Sequence, residues 1–448
     1  MNVLLGPLYG FHRLFSWVRH WTRRRFTRAG LAVLGAFLVA GAMGVDTENS
    51  VVYQAFTLLF AMLIVAAAFS LGFRARFAVT RSLPRLGISG RAITYRVTVR
   101  NLTRKTQRGL VLMENLADLH PSYAEWRALR LDDGKHFRPF RMSQRRRVSS
   151  LTSGNVKEAS VPSVPPNQQV EALIELTPLR RGVLRFAGVT LARPDPLGLF
   201  RALLEAPAPQ SLLVLPKRYL VPPIALPGAM KYQQGGVALA SKVGQSEEFI
   251  ALRDYRRGDP WRHIHWRSWA RAGRPIVKEF EDEFFVRHAL VLDTFTDRRH
   301  SDEFEEAVSV AASFVCTVLT QESLLDLLFV GPQAYCFTAG RGLAHADQML
   351  ELLASVQPCD NRPFDTLEHL VLGHANRVSG CICVLLAWDE PRRKFIEKLK
   401  MLGLPMLVLV ITPPGGNLPL EAGPMRDEPE RLVALETGRI EEQLAKLA

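Results

Sequence analysis

HALVLDTFTD, residues 288–297, is an apolar run that ends on a carboxylate, Asp293. A stretch so short and so continuously apolar fits a strand buried on both faces. The following sequence repeats the sign. DEFEEAVSVAASFVCTVLTQ (302–321) has the apolar spacing of an amphipathic helix, LLDLLFVG (324–331) is a second apolar strand, and HADQMLELLASV (345–356) and FDTLEHLVLGHANR (364–377) are helices. CICVLLAWDE (381–390) is a strand ending at Asp389, EPRRKFIEKLKMLG (390–403) is a helix stopped by Gly403, and PMLVLVIT (405–412) is another apolar strand. Strands alternating with helices predict an α/β, doubly wound parallel sheet over residues 285–448. In such sheets functional residues lie at the C-terminal strand ends. Asp293, Asp297 and Asp389 fall there, and hard divalent cations such as Mg2+ prefer carboxylates of this kind.

Upstream the period changes from 3.6 to two. In AITYRVTVRN, Ile93, Tyr95, Val97 and Val99 alternate with Thr94, Arg96, Thr98 and Arg100; in VEALIEL, Val170, Ala172 and Ile174 stand opposite Glu171 and Glu175. GLVLMENL, GVLRFAGVTLA and SLLVLP continue the series. Short alternating strands punctuated by Gly, Pro and Asn predict an all-β sandwich over residues 78–225. Residues 132–168, polar and Pro-rich, read mainly as a long loop. ARPDPLGLFRA (192–202) reads as a fixed turn, with Pro194 and Pro196 around Asp195 and Gly198 after them.

The net charge of +14 is concentrated. Residues 1–28 carry six arginines and no acid, and residues 74–150 carry eighteen Lys/Arg against five Asp/Glu. Between these stretches lie two uncharged runs, AGLAVLGAFLVAGAMGV (29–45) and VVYQAFTLLFAMLIVAAAFSLGF (51–73), joined by the acidic DTENS. Residues 29–73 are therefore expected to cross the membrane twice as a helical hairpin. Basic residues on both outer flanks are expected to put both termini and the soluble domains on the cytoplasmic side of the membrane. Residues 1–28, with Phe11, Phe15, Trp17 and Trp21 among arginines, form a basic interfacial segment on the bilayer. Because the charge tracks the spans, anionic lipid ranks above nucleic acid as its partner. The five cysteines show no CxxC spacing and read as reduced thiols.

Residues 240–284 hold the most distinctive stretch, RDYRRGDPWRHIHWRSWARAGR (253–274), with seven arginines, no lysine and three tryptophans. From Gly244 to Phe284 there are eight acids and eight Lys/Arg, so the longer segment is neutral, which weighs against phosphate binding. Arginine without lysine suits bidentate pairing with carboxylates and stacking on indoles. Ser246, Glu247 and Glu248 before FIALRDY suggest a short helix start. Asp259 before Pro260 reads as an N-cap and Gly273 as a stop, which makes WRHIHWRSWARA a helix of about three turns wedged between neighbours. No dedicated nucleophile stands beside the charges, so no catalytic residue is assigned.

These residues resemble the signature of domain-of-unknown-function family 58. Glu248, Phe249, Leu252, Arg253, Tyr255, Gly258, Asp259, Arg262, Ile264, Trp266, Ser268, Ala270, Arg271, Lys278 and Glu279 fit its motif, while His265 stands where an acid or amide often stands. The C-terminal sheet resembles a von Willebrand factor A-like domain. Such domains often bind a divalent cation through a D-x-S-x-S motif, here Asp293-Thr294-Phe295-Thr296-Asp297, with both serines replaced and Asp389 near the later aspartate. The resemblance implies a partner role beside MoxR-type AAA+ ATPases and transglutaminase-like membrane proteins. The expectation is an inner-membrane scaffold or adaptor. The alternatives are a metal-dependent enzyme using the signature segment with Asp293 and Asp389, or an anionic-lipid binder.

Overall fold

The computed structural model describes residues 10, 13–15, 18, 21–43, 50–73, 75–117, 153–222, 249–259, 261–280, 287–297, 301–320, 324–339, 343–415 and 421–447. The chain falls into two compact units, Met1–Val214 and Leu215–Ala448.

In the first unit the uncharged segments form α1 (Arg28–Met43) and α2 (Ser50–Leu71). Phe37 of α1 stacks on Phe56 and Phe60 of α2, at 4.8 and 5.8 Å between ring centres. Among the described residues α2 alone is long and apolar enough to cross a bilayer, over Val51–Leu71 at a mean hydropathy of 2.2. Only 6% of that window is buried, so α2 is not a covered core helix. Of the two expected crossings, only the one at α2 meets that length among the described residues. The 16 residues of α1 reach about 24 Å at ~1.5 Å each, short of a hydrocarbon core of roughly 30 Å.

The strands of this unit are β1 (Phe77–Ser82), β2 (Leu86–Ile88), β3 (Ile93–Asn101), β4 (Leu110–Leu116), β5 (Gly154–Val156), β6 (Ala159–Val161), β7 (Gln169–Pro178), β8 (Gly182–Pro194) and β9 (Arg201–Leu215). They form two sheets, in the orders β1-β3-β7-β5 and β2-β9-β8-β4-β6. The pairing is antiparallel in both. The predicted alternation sets the inner faces. Tyr95, Val97 and Val99 of β3 and Ala172, Ile174 and Leu176 of β7 are buried in one cluster with Leu112, Leu184, Phe186, Leu191 and Leu212 of the other sheet. The loop expected at 132–168 lies outside the described residues as far as residue 152. Its remainder is corrected only at β5 and β6, three-residue strands too short to leave an alternation signal, which pair with β7 and β4 respectively.

The turn expected at 192–202 connects β8 to β9. Asp195 accepts hydrogen bonds from the backbone N–H groups of Leu199 (3.2 Å) and Phe200 (2.9 Å), and Gly198 takes a φ of 68° that favours glycine. Residues just before α1 dock on this turn. The Thr27 N–H donates to the Leu199 carbonyl at 3.1 Å, and a side chain at Gly30 would collide with the same oxygen at 1.9 Å.

In the second unit, after residues 216–222, come a strand, β10 (Phe249–Asp254), then α3 (Trp266–Ala272) and β11 (Ile276–Phe280). After these come β12 (Arg287–Leu292), α4 (Asp302–Thr320), β13 (Leu324–Val330), β14 (Ala334–Ala339), α5 (Leu343–Ser355), α6 (Asp365–His374), β15 (Gly380–Leu385), α7 (Glu390–Met401), β16 (Met406–Thr412), β17 (Leu432–Glu436) and α8 (Ile440–Leu444). The sheet order is β14-β13-β12-β15-β16-β17. Pairing is parallel throughout except between β13 and β14, so the expected parallel sheet gains one antiparallel edge. Every residue of β13, β15 and β16 is buried, which explains their nearly continuous apolar runs, broken in β13 by Asp326, which pairs with Arg287. The chain moves from β12 outward to β13 and later returns to the other side of β12 as β15. The strand order therefore reverses between β12 and β15.

Residues 216–222 follow β9 and dock on α4. The Tyr219 N–H donates to the Ser313 hydroxyl at 2.8 Å, and the Tyr219 hydroxyl donates to the Glu306 carboxylate. Burial pushes both groups upward from their ordinary pKa values. The five cysteines are unpaired, with the thiols of Cys381 and Cys383 in contact at 3.4 Å within the buried β15.

Candidate functional site

Two places bring the singled-out residues together. The first is the signature segment. β10 and β11 pair antiparallel, Leu252 opposite Lys278 and Arg253 opposite Val277, so the expected helix start at FIALRDY is corrected to a strand. The three-turn helix is corrected as well. Trp261–His263 form one 3-10 turn and α3 begins only at Trp266. Between them Ile264 bridges to Val277, and the His265 N–H donates to the Ile276 carbonyl at 2.8 Å. These ties to β11 hold the backbone extended where a continuous helix would need it coiled. Ile264 and Val277 are the buried contact, at 5% and 1% exposure.

Asp259 does not cap a helix. It takes both Arg253 Nη atoms, at 2.7 and 2.8 Å, and the Arg256 N–H at 2.8 Å. The Arg253 hydrogen bonds, with that backbone N–H behind them, hold its pKa down at about 2. Gly258 supports this turn with a φ of 116°, a conformation L side chains rarely adopt. Arg274 pairs with Asp254 at 3.0 Å. His265, the N-cap of α3, shares a hydrogen bond between Nδ1 and the Ser268 hydroxyl at 2.6 Å. Gly273 ends α3 in the left-handed conformation, as its position suggests, donating to the Trp269 carbonyl at 2.9 Å. Glu248 and the side chain of Glu279 lie outside the described residues.

Among the described residues the expected wedging does not hold for two of the three indoles. Trp261 and Trp266 are 70% and 62% exposed, with Trp266 stacked on Trp269 at 5.2 Å and Tyr255 6.3 Å from Trp261. Arg256, Arg257, Arg262, Arg267 and Arg271 are exposed beside them. Over 249–278 only Asp254 and Asp259 oppose eight Lys/Arg, so the hairpin itself is strongly positive although the longer segment is neutral.

The second place is the strand-order reversal. The Asp293 N–H donates to the Val384 carbonyl at 2.9 Å, extending the ladder between β12 and β15. Its fully buried carboxylate accepts from the Phe295 N–H (2.9 Å), the Leu386 N–H (3.0 Å) and Arg392 Nε (2.6 Å). Asp389 caps α7, accepting from the Arg392 N–H, and its Oδ2 takes Arg392 Nη1 at 2.6 Å. Arg392 Nη2 donates to the Phe295 carbonyl at 3.1 Å, and the guanidinium lies 5.0 Å over the Phe364 ring. Burial alone would lower the Arg392 pKa, but the Asp293 and Asp389 carboxylates outweigh it and the net shift is upward. The structure thus joins Asp293 and Asp389, as expected, but joins them through an arginine. Asp297 is exposed, and among the described residues no three His, Cys, Asp or Glu side chains gather as metal ligands would. Arg392 carried no mark in the sequence. Its i+3 spacing from Asp389 looked like an ordinary first-turn helix residue, and its other partner stands 99 positions away.

Similar proteins add context. A solved structure of proximal thread matrix protein 1 from the mussel byssus covers 36% of this chain and 47% of its own at 10% identity, with a TM-score of 0.27. The CARDB domain of PF1109 from Pyrococcus furiosus covers 31% of this chain and 94% of its own at 11% identity, with a TM-score of 0.17. Neither likeness is close enough to define the fold. A curated relative, the uncharacterized protein YeaD of Bacillus subtilis (strain 168), is 30% identical over 190 residues, 42% of this chain. The chain spans 45% of that relative's length. Residues 251–424, which include most of the hairpin and the Asp293–Arg392–Asp389 cluster, match the family described as protein of unknown function DUF58.

Proposed function

We propose that the protein is a bacterial inner-membrane scaffold or adaptor that docks a protein partner on its signature hairpin. In this reading α2 anchors the chain in the bilayer, and α1 packs against it through Phe37. The two antiparallel sheets form a cytoplasmic β-sandwich, and the C-terminal unit is a von Willebrand factor A-like interaction domain. The observation that carries it is the exposed cluster of Trp261, Trp266 and five arginines. Trp, Tyr and Arg are the residues that dominate binding energy at protein interfaces. An arginine-rich, acid-poor face selects an acidic partner surface by bidentate pairing. A MoxR-type AAA+ ATPase is the partner that the family resemblance suggests, with a transglutaminase-like membrane protein as a further component of the assembly.

Affinity recovery from detergent-solubilised membranes tests this. The wild-type chain should recover the ATPase. Trp261→Ala with Trp266→Ala should reduce recovery more than about tenfold, since each hot-spot truncation costs about 2 kcal/mol or more. The double variant should keep the wild-type melting temperature, because both indoles are exposed. Equal recovery by the variant would place the docking surface elsewhere, and absence of the ATPase from the wild-type sample would remove that partner.

A further inference from the structure

The von Willebrand factor A resemblance carries an expectation of a divalent cation at Asp293, and the residues present do not fit one. Mg2+ needs six oxygen ligands at about 2.1 Å and Ca2+ six to eight at about 2.3–2.6 Å. The oxygens of Asp293, Thr294, the Phe295 carbonyl and Asp389 Oδ2 already accept or donate hydrogen bonds, which leaves the exposed Asp297 carboxylate too few partners to hold such an ion. Both Asp293 oxygens take backbone N–H groups, and one also takes Arg392 Nε. Asp389 Oδ2 is held by Arg392 Nη1 and the Phe295 carbonyl by Nη2. The Thr294 hydroxyl is directed into the sheet, where it donates to the Val330 carbonyl. The third motif position is Phe295, whose ring packs on Phe364 at 5.5 Å and brings no side-chain oxygen.

We propose that Arg392 is a resident cation of this domain. Its guanidinium joins the ends of β12 and β15 to the start of α7, as a bound metal ion would join the same carboxylates. Three properties fit that role. The side chain is 9% exposed and cannot be drawn into solvent without uncovering Asp293. Its planar fork reaches two carboxylates and one carbonyl at once, which the point charge of a lysine does not. Unlike a metal it is bound covalently and keeps no open ligand position, so a partner's carboxylate has no vacant coordination site to enter. The strand-end surface is therefore fixed in one state at any divalent ion concentration, and partner binding by this domain is metal-independent. This inference does not rest on the hairpin being the docking surface.

Mn2+ alone, added to the full-length chain in detergent and followed by electron paramagnetic resonance, tests it. The wild-type spectrum should remain that of free Mn2+, with no site tighter than about 1 mM, the weak end of protein Ca2+ sites. Arg392→Ala should lower the melting temperature by roughly 10 °C, because a buried carboxylate loses its partner. Added Mn2+ should recover part of that loss in Arg392→Ala and none when Asp389→Ala is combined with it. Should Arg392→Ala not accumulate, Arg392→Lys is measured instead, and it should melt below wild type because a single ammonium cannot span both carboxylates. One Mn2+ bound by the wild type and lost on Asp389→Ala would overturn the proposal. An Arg392→Ala or Arg392→Lys protein as stable as wild type without metal would overturn it as well.

Discussion

Arg81 shows how a single residue can contradict its sequence context. It lies just beyond the second uncharged run, among basic residues that favour the cytoplasmic side. Yet its side chain is fully buried between the sheets, with Nε and Nη2 donating to Glu114 at 3.0 and 2.6 Å. The Tyr95 hydroxyl also donates to Glu114, at 2.9 Å, and burial drives the Tyr95 pKa far upward. The guanidinium rests 4.6 Å over Phe186. Glu114→Ala strands this charge and should cost about 3–5 kcal/mol in urea unfolding, whereas exposed Arg96→Ala should change little. His288 makes the complementary case for a neutral group. It is 3% exposed in β12, and burial depresses its pKa from 6.5 to about 4. The unfolded chain therefore binds a proton that the folded chain refuses between those values. Stability should be full above about pH 6.5 and fall by roughly 3 kcal/mol as the pH drops to 4. His288→Leu should flatten that part of the profile, and an unchanged slope in the variant would show that other groups govern it. At this scale the sequence was least informative. It marked Asp293 and Asp389 by their places at strand ends, but Arg392 and Glu114 owe their roles to partners brought together only by the fold.

Among the elements, legibility followed the length and cleanness of the apolar pattern. β12, β13, β15 and β16 stood out because burial on both faces leaves few polar residues in them, His288 and Asp326 among those few. β3 and β7 stood out because one face is buried and the other wet. β14 escaped notice because its half-exposed edge, AYCFTA, is neither continuous nor regularly alternating. β10 was misread because acids before an apolar run imitate a helix start, while its hydrogen bonds go to β11. The signature turn depends on backbone geometry as much as on charge. Gly258→Ala at a φ of 116° should destabilise the hairpin by about 1 kcal/mol or more. Limited proteolysis between β10 and β11 reads that change directly, and wild-type resistance in the variant would show that the turn tolerates a side chain. Asp259→Asn keeps the acceptor for the Arg256 N–H but loses the ion pair, so a pH titration near 2 should disappear from the hairpin's carboxylate signals.

For the whole molecule, the proposed function makes two claims that reach beyond single elements: that the chain is held at a membrane, and that its charged hairpin is presented to a partner. The first depends on α2. Its exposed side chains include Leu58, Phe60, Ile64 and Phe69, and Ile64→Arg should reduce membrane insertion by about 2.5–3.5 kcal/mol, read as loss of the chain from carbonate-washed membranes. Retention of that variant would mean that other segments suffice. Of the other basic stretches, residues 118–150 lie outside the described residues, and Arg81 is buried against Glu114. The hairpin therefore bears the main argument for partner binding. A photo-crosslinking amino acid placed at position 266 in living cells tests it most directly. The account predicts a discrete adduct with one protein, the MoxR-type ATPase, that is absent when the same amino acid replaces exposed Leu102 on the first unit. Equal labelling at both positions, or no adduct at 266, would contradict the claim that this hairpin is the docking surface.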